Sequence, residues 1–259
     1  MLKINHISKV IALFLSMMTA GNISANPDSK KLQIFILAGQ SNMVGHANSH
    51  TMATLYDSDI TGDQQLAQMV FKKDSNLSKK VLGNILTQVR KTDGLTGGIS
   101  NEKIKKMSEG PEKTAAEAEV KKLKEEYESY KKKVTSSCVV SDQVYISSIA
   151  DGNKRSGPLS VGYGGNPEKI GPELSFGLSM AKKMDSPILL IKTSWGGKSI
   201  NYDFRPPSAG PYTLNEKQKA AKSAAEISKN AGLNWRMMNE AISAVLKDLK
   251  QHHPAYNPA

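Results

Sequence analysis

The run Leu32 to Ala38, passing straight into Gly39-Gln40-Ser41-Asn42, constrains this chain more than any other segment. Leu32, Ile34, Phe35, Ile36, Leu37 and Ala38 have the length and branching of a central parallel strand buried on both faces. Gly39 and Gln40 end that strand and set Ser41 just beyond its carboxyl end. In open α/β sheets this is the edge where ligands bind, and a helix starting after Ser41 aims backbone N–H groups at a developing oxyanion. The local pattern alone also has a plainer reading, in which Ser41 and Asn42 do no more than cap a helix.

The rest of the chain is organised around that first strand. Asp57 to Val134 reads as an insertion, with an overall helical span of about residues 57–136. Leu82, Ile85, Leu86 and Val89 suggest one helix, ended by the glycines of residues 94–98. A longer helix follows, with Pro111 in its first turn and a capping box at Thr114 and Glu117. Ala116, Val120, Leu123, Tyr127, Tyr130 and Val134 make a narrow apolar seam, read as a hairpin packed on itself or over the rim of a site, or as a dimerisation arm. Val144 to Ile149 is a second strand and Gly157 to Gly171 a loop. Pro172 opens a helix with Leu174, Leu178 and Met184 inward. Ile188 to Ile191 is a third strand, apolar without alternation, and Trp235, Met238, Ile242, Val245 and Leu249 mark a final helix face. Alternating strands and helices predict an α/β fold, a three-layer α/β/α sandwich on a mainly parallel sheet of flavodoxin-like type. With three strands placed and a helix just before Ala259, a further strand is expected beyond the chain's end, so the sandwich reads as incomplete at its C-terminus.

Charge and cysteine usage narrow the function classes. Residues 1–25 read as a secretory signal, since Lys3 and Lys9 precede the apolar run Val10 to Met18 and Ser24-Ala25 follow. That run is too short to span a bilayer, so the expectation is cleavage near Ala25, a mature domain over 26–259, secreted or periplasmic location and no stable membrane insertion. The formal charge of +11 is concentrated, because residues 72–133 hold sixteen Lys and Arg against ten Asp and Glu. Without interleaved aromatics or a recognisable module it predicts a solvated helical face and no nucleic-acid partner. Cys138 is the one cysteine, which excludes an internal disulfide, and no histidine motif accompanies it to make a catalytic thiol. Metal-ligand spacings, a phosphate loop and a dinucleotide fingerprint are all missing, so no metal and no cofactor is expected.

Three blocks carry a resemblance. Gly39-Gln40-Ser41-Asn42-Met43 with Gly45, then Ile170-Gly171-Pro172-Glu173-Leu174-Ser175-Phe176-Gly177, then Lys192-Thr193-Ser194-Trp195-Gly196-Gly197-Lys198-Ser199, are similar in wording and order to those of SGNH-type hydrolases, in the branch of sialate O-acetylesterases and acetylxylan esterases. They span residues 34 to about 205. The resemblance implies a serine esterase that removes O-acetyl groups from carbohydrate, with Ser41 as nucleophile. It points to the N–H of Ser41 and of Gly171 as oxyanion donors, with Gly165 or Gly197 as alternatives; Asn42 pins the loop or lines the pocket, Gln40 does either, and tight turning with close packing is the plainer reading of the glycines. His46, Trp195 and Arg205 are candidate substrate contacts, Arg205 for an acidic sugar. The family's base comes from an Asp-x-x-His block near the carboxyl terminus, and this sequence has none. His46, His50, His252 and His253 lie outside any such motif. Two alternatives therefore stand beside the esterase: a carbohydrate-binding remnant that has lost hydrolysis, and the first part of a longer protein.

Overall fold

The computed structural model describes residues 31–73, 77 and 101–257, and every element below lies in one unit, Lys31–Tyr256. Strand β1 is Gln33–Gly39, β3 is Val144–Ala150, β4 is Asn153–Pro158 and β6 is Ile188–Ser194. They form one mixed four-stranded sheet in the order β1-β6-β3-β4. β6 runs parallel to both β1 and β3, with Ile36 and Ser147 opposite Ile191 and with Gly39 and Ala150 opposite Ser194. The α/β class and the mainly parallel pairing expected from the sequence are therefore present. β6, apolar without alternation, is buried at every residue and is the central strand.

The position of β1 differs from expectation. It is an edge strand of the described sheet, and Ile36 is 53% exposed. The apolar run predicts two-faced burial, but one side of it packs only in part: Phe35 and Leu37 join one core cluster, Leu32 and Ile34 the other. The fourth strand, β4, was missed because Asn153-Lys154-Arg155-Ser156-Gly157-Pro158 carries no apolar alternation. It pairs antiparallel with β3 through a tight turn in which Asp151 and Gly152 have φ of 49° and 83°. Two consecutive positive φ values are the requirement of a type I′ hairpin turn, and Asp-Gly is its sequence signal. Charged residues suit an outer strand, since they discourage further pairing.

Helices cover both faces. On one, α2 (Thr61–Val70), the long α4 (Pro111–Ser137) and α5 (Pro172–Lys183) enclose a core with Val144, Ile146, Ile188 and Leu190. On the other, α8 (Leu233–Lys247) and the short α9 (Leu249–His252) lie over Leu189, Ile191 and Tyr145. The period-two alternation of β3 and β6 divides their side chains between these two cores. Between β6 and α8, the chain makes α6 (Glu216–Lys219) and α7 (Ala224–Asn230).

The long helix begins at Pro111 as expected, but Gly110 takes the cap position and Thr114 lies inside, donating to the Gly110 carbonyl at 3.2 Å. The anticipated capping box is absent because the fixed φ of proline starts the helix a turn earlier. Its seam is divided. Ala116 and Val120 pack with Ile104 of α3 (Asn101–Lys105), while Tyr130 and Val134 enter the main core. The helix expected over Leu82 to Val89 and the segment 1–25 lie outside the described residues. No helix among the described residues is long and apolar enough to cross a membrane.

Candidate functional site

Ser41 opens the four-residue helix α1 (Ser41–Val44) at the carboxyl end of β1. Its hydroxyl donates to Gln40 Oε1 at 2.8 Å, and its backbone N–H reaches the same oxygen at 2.9 Å. Gln40 is thus both the cap of the helix and the partner of the serine. The side chain of Ser41 is half-buried and that of Asn42 exposed at the rim.

The blocks that are distant in sequence meet here. Gly39 is opposite Ser194 in the β1–β6 pairing, and the Trp195 N–H donates to the Gly39 carbonyl at 3.2 Å. Gly45, with φ of 82°, passes so close to the second block that a Cβ on it would lie 2.4 Å from the Gly171 Cα. Only glycine fits such an approach in that backbone region. A two-residue pairing of β2 (Ala47–Asn48) with β5 (Lys169–Ile170) fastens the loop after Ser41 to the glycine-rich segment.

Beneath the turn lies a buried ion pair that sequence reading passed over. Lys192, fully buried in β6, donates through Nζ to Glu173 Oε2 at 2.7 Å, to the Tyr163 carbonyl at 2.8 Å and to the Val44 carbonyl at 3.0 Å. Glu173, also fully buried, accepts the Gly171 N–H at 2.8 Å through its other oxygen. One ammonium with all three protons used thereby joins the end of α1, the glycine loop and the start of α5. Burial pulls the Lys192 pKa below its ordinary value, and Glu173 opposes that shift. A lysine in an otherwise apolar strand was the available signal, but its partner is defined only by the fold.

These bonds sort the proposed oxyanion donors. The Gly171 N–H is committed to Glu173, and the Gly165 N–H to the Gly45 carbonyl at 2.9 Å. Both glycines serve close packing in this arrangement, and neither has a free N–H to offer. Gly197, exposed with φ of 67° and open space around its α-carbon, lies after β6 at the same sheet edge as Ser41. The preceding Gly196 N–H is held by Asp151 Oδ1 at 2.6 Å.

The candidate substrate contacts divide similarly. His46 is exposed and lies against Gly165, on the loop that leaves Ser41. Trp195 is 7% exposed and faces Phe204 with ring centroids 6.0 Å apart, so it packs and offers little open ring face. The Arg205 guanidinium is spent within its own loop, on Asn201 Oδ1 at 2.9 Å and on the carbonyls of Gly210, Ala209 and Pro211. It organises residues 201–211 and is not free to meet a carboxylate.

His50 and His253 have structural partners. His50 Nε2 lies 2.7 Å from the Tyr127 hydroxyl, linking the 3-10 segment Ser49–Asp57 to α4. His253 accepts the Ala255 N–H at Nδ1, lies 3.3 Å from the Gln143 carbonyl through Nε2, and packs its ring at a tilt against Tyr145. Cys138 is buried, and loss of hydration pushes its thiol up to about 12, which removes it as a nucleophile at neutral pH. Among the described residues, no cluster of His, Cys, Asp and Glu could hold a metal ion. No family model matches this chain, and neither a curated protein nor a solved structure matches it.

Proposed function

We propose that this protein is an exported serine esterase of the SGNH type that removes O-acetyl groups from carbohydrate. The observation that supports this reading is the convergence of the three motif blocks on one half-buried serine. Gly39 pairs beside Ser194, Gly45 packs on Gly171, and Lys192 ties Val44 to Glu173. In the reaction, Ser41 Oγ attacks the acetyl carbonyl carbon and gives its proton to a base. The tetrahedral oxyanion then collapses, the bond to the sugar oxygen breaks, and that oxygen takes a proton. Water adds to the acetyl-serine and releases acetate.

Gln40 holds the Ser41 hydroxyl in place but cannot be the base, because an amide oxygen does not accept the proton at neutral pH. His46, on the same loop, is the imidazole nearest to Ser41 in the chain. Among donors to the oxyanion, the Ser41 N–H becomes available once Gln40 rotates away, and Gly197 lies at the same edge. Replacing Ser41 by Ala is expected to lower kcat/KM on an aryl acetate by at least about a thousandfold. Turnover that survives the replacement would remove Ser41 from the reaction.

One observation favours a second reading. Ser41 is paired with a neutral amide and not with an imidazole, as in a site that binds acetylated sugars without cleaving them. Saturable binding of acetylated glycans with no turnover would select this reading over the esterase.

A further inference from the structure

The face of the sheet that meets α8 and α9 contains a cleft of about 370 Å³ that the chemistry at Ser41 does not use. Its floor is two rows of side chains lying across three strands. Lys154, Ile149 and Thr193 stand side by side in one row, and Ser156, Ser147 and Ile191 in the next. Alternation puts all six on the same face as Leu189 and Tyr145, which pack under α8. The small residues Ala241 and Ala244 of α8 keep the space open, and His252 closes one side.

Among the described residues, two polar atoms in this cleft have no partner. Thr193 is fully buried, yet its Oγ1 makes no hydrogen bond, and His252 Nδ1 is buried and equally unpaired. A buried hydroxyl without a partner loses its hydration with nothing in return, so native interiors rarely keep one without a reason. Among the described residues two further buried atoms, Ser148 Oγ and Arg155 Nε, are also unpaired, but they belong to residues of the opposite face, where Arg155 donates to the Gly164 carbonyl. Ser148, Arg155 and Lys192 also border the cleft but direct their side chains to the opposite face; the side chains on this face are Lys154, the hydroxyls of Ser147, Ser156 and Thr193, Gln251 and His252 with isoleucine, valine and alanine, and none is Asp or Glu.

We propose that this cleft binds a small monocarboxylate with a compact apolar body. Thr193 and His252 hydrogen-bond the carboxylate, Lys154 supplies the counter-charge, and Ile149, Ile191 and Val245 hold the apolar part. A lining that is largely apolar with a few convergent polar groups is the usual build of a small-molecule site, and the volume falls within the usual range. The absence of acid from the lining favours an anion over a neutral or cationic ligand of the same shape.

Benzoate, with benzyl alcohol as its neutral counterpart, tests this by ligand-detected NMR on the full chain. The expected dissociation constant is on the order of 1 mM or below, the range accessible to so small a ligand. Thr193→Val should weaken benzoate binding about fivefold or more while leaving the thermal midpoint equal or higher, because it removes an unpaired buried hydroxyl. Lys154→Met, at an exposed position, should abolish the preference for benzoate over benzyl alcohol, and it supplies the test if Thr193→Val does not fold. Ala241→Phe should block binding by filling the space. Lack of saturation up to about 20 mM, equal affinity for the alcohol, or affinities unchanged in Thr193→Val and Lys154→Met would each overturn the proposal.

Discussion

At the scale of single residues, the Lys192–Glu173 pair decides whether the Ser41 turn is rigid. Two ions removed entirely from water are costly, and their attraction offsets this only because every Lys192 proton and both Glu173 oxygens are bonded. Removing one partner leaves the other charge buried alone. Lys192→Met should therefore lose about 3–5 kcal/mol in urea unfolding, and Lys192→Met with Glu173→Gln should recover part of that loss. A single variant within about 1 kcal/mol of the parent protein would show that the pair does not hold the site together. Gly45 and Gly171 act beside it by letting two backbones approach closer than any side chain permits.

At the scale of elements, α5 matters because it carries Glu173 at its first turn and must lie tight against the sheet. Gly177 permits that approach. A Cβ there would meet Leu159 Cδ2 at 2.3 Å and Leu190 Cδ1 at 3.0 Å. Gly177→Ala should destabilise the protein by about 1–3 kcal/mol despite alanine's better helix propensity, since overpacking outweighs it. Gly62, near the start of α2, faces nothing within 4 Å, so Gly62→Ala should be neutral or gain up to about 1 kcal/mol. Thermal or urea midpoints of the two variants give opposite signs if the packing of α5 is as described. Equal signs would contradict it. The strands and helices with strong apolar patterns, β6, α5 and α8, could be read from sequence because their own residues encode burial. β1 could be recognised as a strand, but its place at the sheet edge depends on neighbours far along the chain. β4 escaped because its signal is the turn Asp151-Gly152 and not its side chains.

At the scale of the whole molecule, pH links the site's surroundings to stability. Burial lowers the pKa of both His50 and His253 below 6.5, with Lys131 adding to the effect at His50. Between the lowered value and 6.5 the unfolded chain binds protons that the folded chain excludes, so acid favours unfolding. The contribution of these groups is complete above pH 6.5 and is lost as pH falls through their folded pKa values. A thermal midpoint followed downward from neutral pH should fall, and His253→Gln should flatten part of that slope; an unchanged slope would remove His253 from the account. The candidate site was only half legible. Ser41 and its turn are local and could be read directly, whereas the bonds that occupy the Gly171 and Gly165 amides and the Arg205 guanidinium are tertiary. The pairing of Lys192 with Glu173 joins two of the recognised blocks through space, which no spacing rule reveals. The proposed reaction acetylates Ser41 during turnover, and rapid quenching with an aryl acetate followed by peptide mass spectrometry detects that intermediate. One added acetyl group is expected on the peptide containing Ser41, lost on standing in water and absent from Ser41→Ala. Turnover with that peptide unmodified, or with the acetyl group on another residue in both proteins, would contradict it.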